Sequence, residues 1–302
     1  MAEISAKMKV EFINQDESVQ VVADTIRSSG EVPERYVRPE VKADPVIIDT
    51  EGYNLPIIDM SRLLNPEFSE EETAKLGSAC EHWGFFQLVN HGVDGGLLQK
   101  IKADITEFFN LPLEEKLAIA IPPNGMQGFG HHFVFSKEQK LDWVDLLFLA
   151  TRPVEERNLA FWPTKPSTFR VLGLSPHSDA AGLTVLLQSK DVQGLQVKRD
   201  GKWFAVDALD GVFIVNVGDT LEILSNGKFR SAEHRAVVNP NKERISVAMF
   251  HHPCRDWMLS PLPEFVKDDK VRYRSTRYPE FLTQYLKAKL DGKNHLEILK
   301  LE

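Results

Sequence analysis

From about residue 173 the chain becomes a succession of short β-like runs separated by turn residues, and no other feature constrains its fold as strongly. The runs are Leu183 to Gln188, Leu195 to Lys198, Trp203 to Val206, Val212 to Val217, Arg235 to Val238 and Ile245 to Phe250. Asp200-Gly201 falls between two of them and predicts a hairpin, and Asn226-Gly227 marks a further turn. Many short strands at close intervals suggest a barrel or a double-sheet jelly roll, rather than a parallel sheet with crossover helices.

The first half is largely helical in pattern. Ser69 with Glu72 reads as a capping box, and Leu76, Ala79, Cys80 and Trp83 recur at helical spacing until Gly84 supplies a stop. Phe85 to Asn90 then reads as a short buried strand, followed by a helix carrying Leu97, Leu98, Ile101, Ile105, Phe108 and Phe109, with Pro112 marking its end. Pro153, Pro163, Pro166 and Pro176 give residues 152–176 the look of a linker. Tyr278-Pro279 opens a last amphipathic helix, with Phe281, Leu282, Tyr285, Leu286 and Leu290 on its apolar side and Gly292 beyond it. The expected class is α+β. Residues 1–151 form an N-terminal helical region with short strands, 152–172 a junction, and 173–302 a jelly-roll domain with a C-terminal helix.

Composition excludes several functions. The 302 residues are 42% hydrophobic, enough for a sizeable core, and the net charge of -8 comes without a basic run, which disfavours nucleic acid as a partner. The first twenty residues mix both charge signs and lack the apolar core of a signal peptide, and no later stretch is apolar enough to span a bilayer. A cytoplasmic monomer acting on a small molecule, away from membranes, is expected. Cys80 and Cys254 are too few for a disulfide framework or a four-thiolate zinc site and read as ordinary thiols.

The chemistry concentrates in Pro176-His177-Ser178-Asp179. On an extended backbone residues two apart leave the same face, so His177 and Asp179 can grip one ion. By itself this pair is a weak motif. His234, 57 residues after His177, heads another β-like run and offers a third ligand. Two histidines and one carboxylate leave coordination positions open, which suits an iron(II) that binds oxygen and a cosubstrate. Zinc in a hydrolytic enzyme would use the same three ligands, but it leaves the next strand unexplained. There, Arg244 and Ser246 again share one face, and a guanidinium beside a hydroxyl is suited to hold a carboxylate.

The ordered set His177, Asp179, His234, Arg244 and Ser246 resembles the plant family of 2-oxoglutarate and iron(II)-dependent dioxygenases, which includes flavonol synthases, gibberellin oxidases and alkaloid O-demethylases. Leu55 to Met60 and Ala79 to Gly92 are similar to that family's N-terminal region. Gly173 to Gln188, and Asn216 to Pro253 opening with Asn216-Val217-Gly218-Asp219, are similar to its catalytic domain. The resemblance implies that His177, Asp179 and His234 hold Fe(II), and that Arg244 and Ser246 anchor the distal carboxylate of 2-oxoglutarate. O2 would be the second cosubstrate and ascorbate a reductant. The implied reaction is hydroxylation, desaturation or O-demethylation of a phenolic or alkaloid-like substrate, with release of succinate and CO2. His91 resembles a structural signature, while His131-His132 and His251-His252 read as satisfied or solvent-facing pairs.

One departure stands out. Phe161 to Arg170 is similar to the family's Pro-rich stretch that precedes a long helix, yet here it runs straight into Val171-Leu172-Gly173-Leu174. Relatives carry helices and a strand between these stretches, and that strand supplies a tyrosine to 2-oxoglutarate that no residue here matches. A truncated jelly-roll core follows as an expectation, with uncovered apolar surface and a sheet edge. So does an alternative activity, that of a binding paralogue or splice product with impaired turnover.

Overall fold

A computed structural model describes residues 18–37, 46–47, 54–122, 125, 127–131, 140–151, 155, 157–164, 178–188, 192–237, 242, 244–254, 256–266, 270–287 and 294–301. In chain order its elements begin with α1 (Val19–Ser29), β1 (Val46–Ile47), β2 (Ile57–Asp59), α2 (Met60–Leu63), α3 (Ser69–His82), β3 (Phe85–Val89), α4 (Gly95–Phe109), α5 (Leu113–Leu117), β4 (Gly128–Gly130) and β5 (Leu146–Phe148). They continue with β6 (Leu183–Gln188), β7 (Leu195–Arg199), β8 (Lys202–Ala205), β9 (Phe213–Val217), α6 (Asp219–Leu224), β10 (His234–Ala236), β11 (Ser246–His251), β12 (Met258–Leu259), β13 (Thr276–Arg277), α7 (Tyr278–Lys287) and α8 (Asn294–Glu297). Each strand expected after residue 180 is present, with ends shifted by a residue or two where strands fray.

The chain divides into two compact units, Met1–Asp44 with Gly96–Ser175 and Pro45–Gly95 with Pro176–Glu302. In the first, Ser18 caps α1 by accepting from Gln20 N, and its hydroxyl donates to Asp145 Oδ2 at 2.9 Å. Lys116 on α5 is buried, and its ammonium donates to the Phe109 carbonyl at 2.8 Å and to Gln20 Oε1. That carbonyl belongs to the last turn of α4, where a cation also meets the negative end of the helix dipole. The short antiparallel pair of β4 and β5 completes the described sheet structure of this unit.

The second unit holds two larger sheets. One has the order β11-β6-β9-β3-β2 and the other β1-β8-β7-β10. β7 and β8 are joined at Asp200-Gly201, whose φ values of 50° and 76° are those of the tight hairpin expected from the sequence. Alternation sorts the five-stranded sheet into two faces. Phe86, Val215 and Val217 pack outward against Ala79 and Cys80 of α3. Phe85 and Ile214 pack inward against Leu195 and Val197 of the second sheet. Two sheets enclosing one core is the jelly-roll arrangement.

α3 ends as the sequence predicts but begins differently. Gly84 has φ 67°, and a Cβ there would lie 2.1 Å from the Arg230 carbonyl oxygen, so both the turn and the close approach require glycine. The capping box, by contrast, does not form: Phe68 is the N-cap, without a side-chain bond, and Ser69 lies inside the helix. Glu72, itself buried, is drawn instead to partners outside the helix, accepting from Asp59 N at 2.8 Å and from Arg62 Nε at 3.2 Å. At the C-terminal end, α7 buries Phe281 against Ile223, Leu259 and Tyr273, with Leu282 and Tyr285 packed alongside. Leu290, Gly292 and the junction at 165–177 lie outside the described residues.

Candidate metal centre

Asp179 and His234 come together on the inner side of the sheets, His234 Nε2 lying 3.9 Å from Asp179 Oδ1. Both side chains are largely buried. Each reaches the pair from a different direction: Asp179 from the loop before β6, His234 from the first residue of β10. The backbone holds that loop against α6, with Asp219 N donating to the Asp179 carbonyl at 2.7 Å and Gly218 N to the Gly182 carbonyl at 2.9 Å. Gly218 permits this contact, since a Cβ would sit 2.1 Å from the Ala181 oxygen and 2.7 Å from the Asp179 oxygen.

The orientation of the His234 ring follows from its partner. Nδ1 lies 3.1 Å from the Ala232 carbonyl, which can only accept, so Nδ1 carries a hydrogen and Nε2 is the ring nitrogen that faces Asp179. An imidazole whose far nitrogen donates to a carbonyl is the usual form of a metal-bound histidine. Phe85 packs edge-on against the ring, with centroids 5.1 Å apart. On the carboxylate, Oδ2 accepts from Thr184 Oγ1 at 2.5 Å and from Asn216 Nδ2 at 2.6 Å. A carboxylate oxygen and an imidazole nitrogen are donor types that fit a divalent iron. His177 lies outside the described residues, and among the described residues no third His, Cys, Asp or Glu completes a metal-binding group.

Arg244 and Ser246 meet the same inner face. Ser246 is the cross-strand partner of Gln188, and Gln188 Oε1 accepts from Arg244 Nη2 at 2.7 Å, so the three side chains share one side of the sheet. Arg244 Nε is buried and meets no hydrogen-bond partner among the described residues, a donor suited to an anionic ligand. Burial alone pushes the guanidinium below its ordinary value. Room for the side chain comes from Gly194, where a Cβ would stand 2.7 Å from Arg244 Cδ and 2.9 Å from the Val237 oxygen.

Of the other histidines, His91, His251 and His252 fall where the sequence suggested. His91 Nε2 meets the Gly211 carbonyl at 2.9 Å and its Nδ1 accepts from Val93 N at 3.2 Å, a satisfied structural residue. His251 is exposed, and His252 Nδ1 is 2.5 Å from the Tyr278 hydroxyl. His131 lies against the Tyr36 ring, with centroids 6.4 Å apart; His132 lies outside the described residues. Cys80 is buried and its thiol is pushed up to about 11, so it is unreactive near neutral pH. Sequence reasoning missed Thr184, Asn216, Gln188 and Tyr285. The Tyr285 hydroxyl donates to the Ser178 carbonyl at 2.9 Å and so ties α7 to the loop that carries Asp179. Buried polar residues inside apolar runs were the available signal for Thr184 and Asn216.

Comparison with known proteins follows the same lines. Residues 55–165 match the family model described as non-haem dioxygenase in morphine synthesis N-terminal, and residues 154–253 match that of the 2OG-Fe(II) oxygenase superfamily. The chain is 47% identical to 2-oxoglutarate-dependent dioxygenase 11 of Oryza sativa subsp. japonica, across 94% of this chain and 96% of that protein. Their alignment runs over 343 positions, more than the 302 residues here, so at least 41 positions of the rice protein have no counterpart. Codeine O-demethylase of Papaver somniferum is 35% identical across 90% of this chain and 93% of its own length. Among solved structures, JOX2 in complex with 2OG, Fe and JA superposes with a TM-score of 0.84 at 29% identity, covering 97% of this chain and all of that one.

Proposed function

Because this chain belongs to the family of 2-oxoglutarate- and iron(II)-dependent dioxygenases, we propose that His177, Asp179 and His234 hold its iron and that Arg244 and Ser246 hold the distal carboxylate of 2-oxoglutarate. The chain is an oxygenase that uses Fe(II), 2-oxoglutarate and O2. When bound, the iron supplies the activation of O2 that couples loss of CO2 from 2-oxoglutarate to oxidation of an organic substrate.

The protein's own residues bind, orient and exclude water. His234 turns its Nε2 toward Asp179 through the bond from Nδ1 to Ala232, and Asp179 contributes charge from a buried position. Arg244 offers a buried donor whose charge opposes that of a carboxylate, braced by Gln188. The observation that carries the assignment is the 3.9 Å approach of Asp179 Oδ1 to Nε2 of a His234 ring that is held through Nδ1 by the Ala232 carbonyl. For the substrate we infer a small phenolic or alkaloid-like molecule that is hydroxylated, desaturated or O-demethylated. The morphine-synthesis description of the family model and the codeine O-demethylase relative support that class.

Anaerobic addition of Fe(II) and then 2-oxoglutarate tests the ligands, because chelation produces a visible charge-transfer band. His177→Ala and His234→Ala are expected to abolish the band while His251→Ala keeps it; the reverse pattern overturns the assignment.

A second reading is favoured by the rice relative's unmatched positions. We place them at the junction after Arg170, where a tyrosine that contacts the cosubstrate is missing. On this reading the chain binds iron and 2-oxoglutarate with little turnover. Succinate release in the presence of candidate phenolics and alkaloids decides between the two: a charge-transfer band without succinate selects the second.

A further inference from the structure

Asn216 opens a short motif, Asn216-Val217-Gly218-Asp219, to which the proposed chemistry gives no task. The sheet register does. Asn216 on β9 is the cross-strand partner of Thr184 on β6, and the same row continues to Phe85 on β3 and Phe250 on β11. Directly paired residues of antiparallel strands project from the same face, so the four form one line across the inner side of the sheet. Its two central residues, both buried, donate to one atom, Asp179 Oδ2, at 2.5 and 2.6 Å. Phe85, at the β3 end, packs on the ring of His234.

On this arrangement, and resting on the reading of Asp179 as a metal ligand, we propose that Thr184 and Asn216 are positioning residues that make Asp179 a one-oxygen ligand. Two hydrogen bonds fix the carboxylate plane, occupy Oδ2 and turn Oδ1 to the side of His234 Nε2. A carboxylate released from these donors rotates and can chelate through both oxygens, closing a coordination position that a two-histidine, one-carboxylate site keeps open for cosubstrates. Neither residue touches the metal; both act through Asp179. The cross-strand pairing makes the device rigid, because the two donors are held together by the β6–β9 ladder rather than by a mobile loop.

The test uses the full-length, metal-free protein and Co(II), whose visible bands report coordination number without turnover. Thr184→Val removes the hydroxyl and keeps the shape, Thr184→Ser restores the donor, Asn216→Ala removes the second donor, and Asp179→Ala is the control. Thr184→Val and Asn216→Ala are each expected to weaken Co(II) binding by about 10- to 100-fold and to alter the Co(II) band envelope, with Thr184→Ser returning both toward wild type. A lower melting temperature with unchanged Co(II) affinity and spectrum in these two variants means the bonds serve only the fold, and overturns the proposal. Wild-type Co(II) binding in Asp179→Ala identifies a different failure: the ligand assignment falls, and the positioning role with it.

Discussion

At the scale of single residues, the site depends on atoms that a substitution can reach one at a time. Gly194 is one. A methyl group there meets Arg244 Cδ at 2.7 Å and the Val237 oxygen at 2.9 Å, so Gly194→Ala must displace the Arg244 side chain. The expected result is a raised KM for 2-oxoglutarate with little change in metal affinity, measured as the cosubstrate dependence of succinate formation. Arg244→Gln removes the charge altogether; losing a charge-assisted hydrogen bond of about 1.5–3 kcal/mol raises that KM by roughly 10- to 100-fold. A cosubstrate dependence unchanged in both variants would place the carboxylate elsewhere. The residue scale also shows what the sequence could reveal about the site. Asp179, His234, Arg244 and Ser246 were named from spacing because metal and carboxylate binding demand particular side chains. Thr184, Asn216 and Gln188 were not, because a buried hydroxyl or amide inside a strand has no meaning until its cross-strand neighbour is known.

Among the elements, α3 is tied to the site through the sheet it covers, and Glu72 is its most exposed weakness in acid. Its carboxyl is held below the usual range, first by the bond from Asp59 N and then by the charge of Lys75 and the bonds from Lys75 and Arg62, against the opposing effect of burial. A carboxyl depressed in the folded state stabilises the fold above its unfolded pKa, and that contribution is lost as pH falls through the lower, folded value. Glu72→Ala removes the acceptor of a backbone amide and is expected to destabilise by about 1–3 kcal/mol near neutral pH. The difference from wild type narrows at acid pH, read from urea midpoints across the pH range; a pH-independent difference would assign the loss to packing alone. The short helix α6 offers a contrasting case. Its N-cap, Gly218, lies so close to the 179–181 backbone that Gly218→Ala should both lower the melting temperature and weaken metal binding, since Asp179 is carried by the segment displaced.

For the molecule as a whole, binding and folding are linked, because Asp179 and His234, 55 residues apart in the sequence, approach to 3.9 Å only in the folded chain. A ligand present at about a hundred times its Kd adds about 2.7 kcal/mol to stability. Mn(II) as a redox-inert substitute, together with 2-oxoglutarate, is therefore expected to raise the melting temperature by several degrees. In His177→Ala the increment should vanish, and its persistence would remove His177 from the ligand set. No helix among the described residues is long and apolar enough to cross a membrane.

What the sequence determined by itself is local chemistry and local geometry: strand runs by their residues, the Asp200-Gly201 hairpin and the Gly84 stop by the φ they require, and candidate ligands by the donor types iron accepts. The Ser69–Glu72 cap failed because a carboxylate follows its best partner, and the Asp59 amide and Arg62 lie outside the helix. Tertiary structure alone decided that β2 and β3, from the helical half of the chain, join the five-stranded sheet beside β9, and that Thr184 and Asn216 stand side by side beneath Asp179. The reason is physical: strand pairing sums weak, non-directional burial over the whole core, and only the completed register brings distant polar groups within hydrogen-bonding reach.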